Sequence, residues 1–344
     1  MRAAIVSRQG TPVAPNVKVV SDWPEPSAGP GTVVVRTEAS AMNHLDLYVG
    51  KGVPGLELTY PRVGGSDGCG KVESVGEGVD PAWIGRRVVV NAAVEQPAPA
   101  HPEFAPVVPP FLRMVGEHDP GTFAEKFVAP ATNVLDVGEA DPVEAAAFAL
   151  GHLTAWRMLV TRAGLRAGQT VLITGIGGGM ALSLHNICKY FGCPTVVTSR
   201  HQWKLDKALA LGADHAVLDT GEDWSRQVRQ LTAKRGVDVC ADSVGKAVHL
   251  ACIKSLTRGG VFVSCGATTG ADAVTDLARL FWSQLTLVGS TMGDMEEFRQ
   301  VVSLFKSGAL KPVIDGVFDA GETARAYERL ESGEQFGKVA IRWA

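Results

Sequence analysis

Residues 171–184, VLITGIGGGMALSL, place a glycine-rich turn between a short apolar run and a helical pattern. In a βαβ unit, glycines at this turn let the backbone approach a pyrophosphate, and the following helix offers free N–H groups at its N-terminus. A strict G-x-G-x-x-G spacing would place glycine at Met180, whereas small residues recur here at Gly175, Gly178 and Ala181. For this segment alone, a tight turn without a ligand stays the alternative.

Strand-like and helix-like segments alternate after this turn. The strand-like runs TVVTS, HAVLD and VDVCADS each precede a helical pattern, and GVFVSCG and LTLVGS follow. Continuous apolar strands between helices are typical of a parallel sheet that is covered on both faces. The first 90 residues instead contain β-branched runs divided by Gly, Pro and Asp, which predict a β-rich region. Residues 91–111 are rich in proline and predict an irregular surface loop.

The length of 344 residues favours two domains. The nucleotide-type pattern is inserted into the β-rich part, because the chain ends in another strand-like run, KVAIRW. We therefore predict one domain from residues 1–148 and 293–344 and a second domain from residues 149–292.

Composition excludes several classes of partner. Apolar residues make up 46% of the chain and charged residues 20%, and the net charge is −3. No basic surplus favours nucleic acid or an anionic membrane. The apolar window around residues 142–160 contains Glu144, His152 and Arg157, so no membrane span is predicted. Six scattered cysteines without a C-x-x-C pair indicate reduced thiols and a cytoplasmic location.

Other motif matches lack the required context. Residues 64–68, GGSDG, fit G-x-S-x-G, but a strand-like run follows where a nucleophile elbow needs a helix. Residues 333–339, GEQFGKV, lack the spacing and the Ser/Thr of a P-loop.

Segments along essentially the whole chain resemble landmarks of the medium-chain dehydrogenase/reductases. They include AMNHLDLYVGKG, YPRVGGSDGCGKVESVGEGV, GTFAEKFVAP, AAAFALGHLTAWRML, GLRAGQTVLITGIGGG and FGKVAIRW, in the family's order. The resemblance implies an α/β fold with a GroES-like β-rich catalytic domain and a Rossmann domain with a doubly wound parallel sheet. It also implies reversible hydride transfer with a nicotinamide cofactor that is bound in the cleft between the two domains.

The positions that hold zinc in many members of this family carry other residues here. The resemblance places Asn43 at the first ligand cysteine, Ser66 at the ligand histidine and Leu150 near the last ligand cysteine. The four-cysteine lobe is replaced by residues 91–111. Because zinc needs several Cys, His or carboxylate ligands at fixed positions, we expect a zinc-free member without a metal site. NHLDLYV and GSDG also resemble a branch near the alcohol dehydrogenases, so the subfamily stays open.

Without zinc, fixed donors must stabilise negative charge on a carbonyl oxygen or deliver a proton to it. Asn43, Asp46 and Tyr48 match the N-x-x-D-x-Y segment that lies beside the nicotinamide in quinone-reductase-like members. The resemblance implies that Asn43 bonds the nicotinamide ribose or the substrate carbonyl, and that Tyr48 donates a hydrogen bond or proton. His44 is expected to touch the cofactor or substrate, and Asp46 to hold the local turn. The alternatives are a turn-forming role for Asn43 and a packing role for Tyr48.

Cofactor contacts are expected at five places. Four of them are the glycine turn, Thr154 in the helical segment before that turn, and the ends of two later strands. Lys338, in FGKV, resembles a lysine that lies near the cofactor in the family. A solvated loop lysine is the alternative for Lys338. The expected contacts in these segments are Gly175, Gly178, Gly179, Met180, Thr154, Ser243, Val244, Cys265, Gly266, Ala267 and Lys338.

The end of the second strand predicts NADPH as the cofactor. An acidic residue about 20 residues beyond the glycines usually binds the adenosine ribose hydroxyls and would repel a 2′-phosphate. Here the sequence has Ser199, Arg200 and Lys204, and no carboxylate occurs until Asp206. A guanidinium suits phosphate, and a solvated basic edge is the alternative.

The leading prediction is an NADPH-dependent, zinc-free oxidoreductase that acts on a small-molecule quinone or α,β-unsaturated carbonyl. One alternative is an alcohol or aldehyde dehydrogenase of the same superfamily. Another is a catalytically inactive nucleotide-binding relative. The resemblance also implies a homodimer, with Phe281, Trp282, Leu285 and Leu287 as candidate interface residues; for these residues an internal core position is the alternative.

Overall fold

The computed structural model describes residues 1–53, 55–97 and 111–343. The described residues form nine α-helices and eighteen strands. The strands are β1 Ala3–Val6, β2 Val17–Val20, β3 Thr32–Ala41, β4 Arg62–Val63, β5 Asp67–Val75, β6 Arg87–Val90, β7 Ala93–Gln96, β8 Phe111–Met114, β9 Lys126–Pro130, β10 Val134–Asp136, β11 Val171–Ile173, β12 Thr195–Ser199, β13 His215–Leu218, β14 Val237–Asp242, β15 Leu256–Ser264, β16 Thr286–Gly289, β17 Ile314–Asp319 and β18 Lys338–Arg342. The helices are α1 His44–Lys51, α2 Pro142–Trp156, α3 Gly179–Tyr190, α4 Gln202–Ala210, α5 Ser225–Leu231, α6 Lys246–Ser255, α7 Leu277–Trp282, α8 Met295–Lys306 and α9 Thr323–Glu331.

The chain is organised in two compact units. The first comprises Met1–Leu150, Asp294–Gly308 and Pro312–Ala344, and the second comprises Gly151–Gly293 and Ala309–Lys311. None of the helices within the described residues is both long and apolar enough to cross a membrane.

The first unit is built around a seven-stranded sheet. Its strand order is β10-β6-β5-β3-β18-β17, and β9 also pairs with β3. The central strand β3 is antiparallel to both β5 and β18. A second, three-stranded sheet has the order β2-β1-β4. The buried residues between α9 and β1 include Tyr327, Phe123 and Ile341, so the C-terminal segment completes a core that the N-terminal strand begins.

The second unit is a six-stranded parallel sheet with the order β13-β12-β11-β14-β15-β16. In unit numbering this order is 3-2-1-4-5-6, the doubly wound arrangement in which ligands bind where the strand order reverses. The reversal lies between β11 and β14, and the glycine turn directly follows β11. The predicted combination of a β-rich unit and a doubly wound parallel sheet is confirmed.

The prediction of an irregular loop at residues 91–111 is wrong at both ends. Strand β7 pairs with β8 in an antiparallel register that sets Ala93 opposite Met114 and Gln96 opposite Phe111. Ala93 and Val94 are followed by the polar Glu95 and Gln96, so the segment lacks the alternation of a strand, and the neighbouring prolines favoured a loop. The remaining residues of that segment, 98–110, lie outside the described residues.

Candidate active site

The glycine turn has backbone angles that only glycine adopts easily. Gly175 has φ +64° and Gly177 has φ +119°. A Cβ atom at Gly177 would lie 2.6 Å from Cδ of Lys204, and one at Gly175 would lie 2.9 Å from Cγ2 of Val244. Gly178 then stands at the N-cap of α3, whose first-turn N–H groups lack partners within the helix. The turn therefore forms a cradle of bare backbone with a lysine packed over it.

The residues at the end of β12 and after it include Lys204, which contacts this cradle. Ser199 is buried, and its Oγ accepts a hydrogen bond from the N–H of His201 at 3.2 Å. Arg200 is exposed. Lys204 is buried, and its alkyl chain lies against Gly177. The sequence places Lys204 one helical turn beyond the strand. In the structure the side chain of Lys204 lies against the glycine turn.

Asp242, at the end of β14, is a site residue that the sequence analysis missed. Its buried carboxylate accepts hydrogen bonds from Oγ1 of Thr174 at 2.6 Å and from the N–H groups of Val244 at 3.0 Å and Gly245 at 2.9 Å. Burial raises the pKa of this carboxyl group. Asp242 thus ties the glycine turn to the Ser243–Val244 loop, and a carboxylate at the end of an apolar parallel strand was the available signal.

The remaining cofactor candidates differ in exposure. Cys265 and Gly266 are half-buried and Ala267 is exposed, directly after β15. Thr154 is buried in α2, and among the described residues its Oγ1 has no hydrogen-bond partner. A buried hydroxyl without a partner is costly, so an outside polar group would stabilise it.

Helix α1 presents two of the three predicted catalytic residues on one face. His44 and Tyr48 are exposed and four residues apart, a spacing that places side chains side by side on a helix. Asp46 points the other way and is buried. Its carboxylate accepts hydrogen bonds from the N–H groups of Asn43 at 2.7 Å and Gly65 at 3.0 Å. Burial raises the pKa of Asp46 to about 7.

Asn43 belongs to a cluster that the sheet register assembles. Ala41, the last residue of β3, is paired with Asp67 on one side and Ala340 on the other. Asn43 follows two residues later, and Lys338 begins β18 two residues before Ala340. The ends of three adjacent strands therefore bring Asn43, Asp67 and Lys338 together.

The three side chains of this cluster contact one another. The Lys338 ammonium lies 2.6 Å from Oδ1 of Asn43 and 2.8 Å from Oδ2 of Asp67. Nδ2 of Asn43 donates to the same Asp67 oxygen at 2.9 Å, and the N–H of Leu150 donates to the other oxygen at 2.8 Å. The side chains of Lys338 and Asp67 are only 5% and 0% exposed. The alternative of a solvated Lys338 is therefore wrong, because its ammonium is buried in an ion pair.

These residues do not fit a zinc ion. Lys338 already occupies the acceptors of Asn43 and Asp67, and an ammonium excludes a second cation at that place. Ser66 is buried, and among the described residues its Oγ has no hydrogen-bond partner. No group of three His, Cys, Asp or Glu residues within residues 1–53, 55–97 and 111–343 is arranged to hold a metal ion. The absence of bound zinc stays a prediction.

Comparison with known proteins is consistent across both units. The alcohol dehydrogenase GroES-like domain model matches residues 29–139, and the zinc-binding dehydrogenase model matches residues 179–307. A crystal structure of an NAD-dependent alcohol dehydrogenase is 34% identical, with a TM-score of 0.90 and 100% of each chain covered. A zinc-type alcohol dehydrogenase-like protein of Leptosphaeria maculans is 29% identical over 92% of each sequence. A 2-haloacrylate reductase of a Burkholderia species is 26% identical over 98% of each.

Proposed function

Because the chain belongs to the medium-chain dehydrogenase/reductases, a family of nicotinamide-dependent oxidoreductases, we propose that it reduces quinones or α,β-unsaturated carbonyl compounds with NADPH and without zinc. The observation that supports this proposal is the buried Asn43–Asp67–Lys338 cluster, in which an ammonium occupies the acceptors that a metal would need. The similarity to a 2-haloacrylate reductase supports an activated double bond as the substrate.

In this proposal the GroES-like unit acts on the substrate oxygen. Tyr48 is 36% exposed, and the proposal assigns its hydroxyl as the proton donor. His44, on the same helix face, contacts the substrate or cofactor. Asn43 has an N–H that is not used by Asp67 and is able to bond the carbonyl oxygen. The proposal thus assigns stabilisation of negative charge to Asn43 and protonation to Tyr48.

The parallel-sheet unit holds the cofactor in this proposal, and the bound nicotinamide ring supplies the hydride. The backbone of Gly175, Gly178, Gly179 and Met180 binds the pyrophosphate, since the turn offers N–H groups and room for close approach. Ser199, Arg200 and Lys204 bind the 2′-phosphate. Contacts to the rest of the cofactor come from Thr154, Ser243, Val244, Cys265, Gly266, Ala267 and Lys338. For Lys338 we propose an indirect contact, because its ammonium is engaged by Asn43 and Asp67.

Steady-state turnover on a panel of substrates tests the proposed reaction. We expect NADPH consumption with enones or quinones at a higher kcat/KM than with simple aldehydes. Faster oxidation of alcohols or reduction of aldehydes would instead favour the alcohol dehydrogenase alternative. Tight cofactor binding without turnover on any class would favour the inactive relative. Elemental analysis of the same sample, purified without chelators, is expected to give far less than one zinc per chain.

We also propose a homodimer that forms through the edge of the parallel sheet. Strand β16 is the last strand of that sheet, and the neighbouring α7 exposes Phe281 by 68% and Trp282 by 75%. Leu285 and Leu287 instead pack against the core of the unit, so only the two aromatic residues fit an interface. Light scattering at micromolar concentration should give the dimer mass, and Trp282→Ser should shift it toward the monomer. A monomeric wild-type protein would contradict the dimer.

A further inference from the structure

The orientation of the Asn43 amide is fixed by the charges around it. An ammonium only donates hydrogen bonds and a carboxylate only accepts them. Lys338 therefore faces the amide oxygen, and Asp67 faces the amide nitrogen, as the distances of 2.6 Å and 2.9 Å require. The reverse orientation of the amide would set an NH₂ group against an ammonium and an oxygen against a carboxylate. Among the described residues, the oxygen of the Asn43 amide accepts from Lys338, one N–H donates to Asp67, and the other N–H has no partner.

The contact with Lys338 strengthens that remaining N–H as a donor, and the hydrogen bond to Asp67 opposes this effect in part. A cation on the oxygen of an amide draws electron density from its nitrogen, and a chain of hydrogen bonds in a low-dielectric site polarises each member further. Lys338 and Asp67 are almost fully buried, so water does not screen this effect. Asn43 itself is only half-buried, so a ligand is able to reach its side chain.

We propose that Lys338 is a positioning residue that acts through Asn43: its ammonium holds and polarises the amide, which donates its remaining N–H to the carbonyl oxygen of the substrate. This inference rests on the proposed carbonyl reduction. A fixed donor that faces a developing negative charge needs no reorganisation during the reaction. In this proposal the Lys338 ammonium stabilises negative charge on the substrate oxygen through the Asn43 amide, and it does not contact that oxygen.

A simpler role for Lys338 would be to neutralise Asp67, since an unpaired buried carboxylate is strongly destabilising. Two variants separate the roles. Lys338→Met removes the cation and keeps the length of the side chain, but it leaves Asp67 unpaired. The double variant Asp67→Asn/Lys338→Met removes both charges, so it leaves no unpaired buried charge and is expected to fold even if the single variant unfolds. Lys126→Met is the matched control, because Lys126 forms ion pairs with Glu25 at 2.6 Å and Glu73 at 2.9 Å outside the cluster.

The kinetic measurement compares kcat with the Kd for NADPH. We expect the double variant to lose about 10–100-fold in kcat, somewhat less than the loss of a whole oxyanion donor, with the NADPH Kd within a few-fold of wild type. The control should keep the wild-type kcat. Recovery of wild-type kcat in the double variant would show that Lys338 only neutralises Asp67, and it would overturn the inference.

A second measurement does not depend on turnover. The chain has five asparagines, so selective ¹⁵N-asparagine labelling gives five side-chain amide signals, and the signal of Asn43 is identified by its loss in Asn43→Ala. We expect this signal to lie further upfield in ¹⁵N in the double variant than in Asp67→Asn alone, and to stay in place in Lys126→Met. Both Asp67→Asn proteins have a sixth asparagine signal from the substituted position. Equal Asn43 signals in the double variant and in Asp67→Asn would overturn the inference. A wild-type enzyme that reduces no carbonyl would refute the proposed function, whereas this comparison would still decide whether Lys338 polarises Asn43.

Discussion

The glycine turn and the Asn43–Asp67–Lys338 cluster differ in how their residues come together. The turn is one continuous segment between β11 and α3. The cluster joins residues that are 24, 271 and 295 positions apart, and only the pairing of β3 with β5 and β18 makes them neighbours. The turn offers backbone N–H groups in a conformation set by glycine, whereas the cluster depends on buried charges. The turn should therefore respond to changes in backbone geometry, and the cluster to changes in charge and proton donation.

The largest expected effect concerns Tyr48, which lies on the exposed face of α1. Tyr48→Phe removes one hydroxyl and keeps the ring, so we expect kcat to fall by about 10²–10³ as a transition-state donor is lost. Stability and NADPH affinity should hardly change, because the side chain is 36% exposed. Tyr190→Phe, at a tyrosine that is 47% exposed on α3, is the matched control. A rate within a few-fold of wild type would mean that Tyr48 only packs.

The glycine turn should be sensitive to a single methyl group. Gly177→Ala places Cβ against Lys204 and forces φ +119° on a residue with a side chain, which costs about 1–3 kcal/mol. If this cost falls on the cofactor-bound state, the Kd for NADPH rises about 10–100-fold. Isothermal titration calorimetry measures this Kd. Gly289→Ala is the control, since a Cβ there meets no atom within 4 Å. Unchanged NADPH affinity in Gly177→Ala would separate the turn from the cofactor.

The sequence predicted the glycine turn better than the cluster, because the turn is continuous in the chain and the cluster is not. The turn, the alternating elements after it and the basic residues behind β12 were predictable, because each signal lies within a few consecutive residues. The partners of Asn43 were not, because strand register decides which distant residues meet. Lys338 shows this clearly, because its neighbours in the sequence fit a loop lysine as well as a buried one. Only its pairing with Asp67 shows that it is buried. Asp242 was missed for the same reason, since its partners come from two loops.

Cofactor choice should show a moderate effect at the edge of the turn. Arg200 is exposed after β12, and a charge-assisted hydrogen bond to a 2′-phosphate is worth about 1.5–3 kcal/mol. Arg200→Ala should therefore lower the ratio of kcat/KM for NADPH over NADH by about 10–100-fold, while Arg226→Ala, at another exposed arginine, should leave it unchanged. A wild-type preference for NADH would overturn the choice of NADPH, and this outcome is relevant because one similar structure is of an NAD-dependent enzyme.

The smallest expected effect is on the slope of the unfolding free energy against pH. It tests whether charge governs the behaviour of the cluster. Burial raises the pKa of Asp46 to about 7 from an ordinary value of 3.8, against the opposing effects of two backbone N–H groups and Lys338 and with a small further rise from Asp67. Between these two pKa values the folded protein holds a proton that the unfolded chain has lost. The free energy of unfolding should therefore fall as pH rises from about 4 to 7, by at most about 1.4 kcal/mol per pH unit from this group.

Asp46→Asn tests this slope, because an amide does not titrate. The variant should be less stable overall, since its NH₂ group faces one of the two N–H donors of Asn43 and Gly65. Its unfolding free energy, measured by urea denaturation from pH 5 to pH 8, should nevertheless fall less steeply with pH than that of wild type. Asp223 is the matched control: its hydrogen bond to Lys254 lowers its pKa to about 2, so Asp223→Asn should leave the slope in this window unchanged. Equal slopes in wild type and Asp46→Asn would mean that the two N–H groups and Lys338 keep Asp46 ionised. Asp46 and Asp67 would then be two ionised carboxylates close to one ammonium, and the excess negative charge would weaken the case for a donor to a substrate oxyanion.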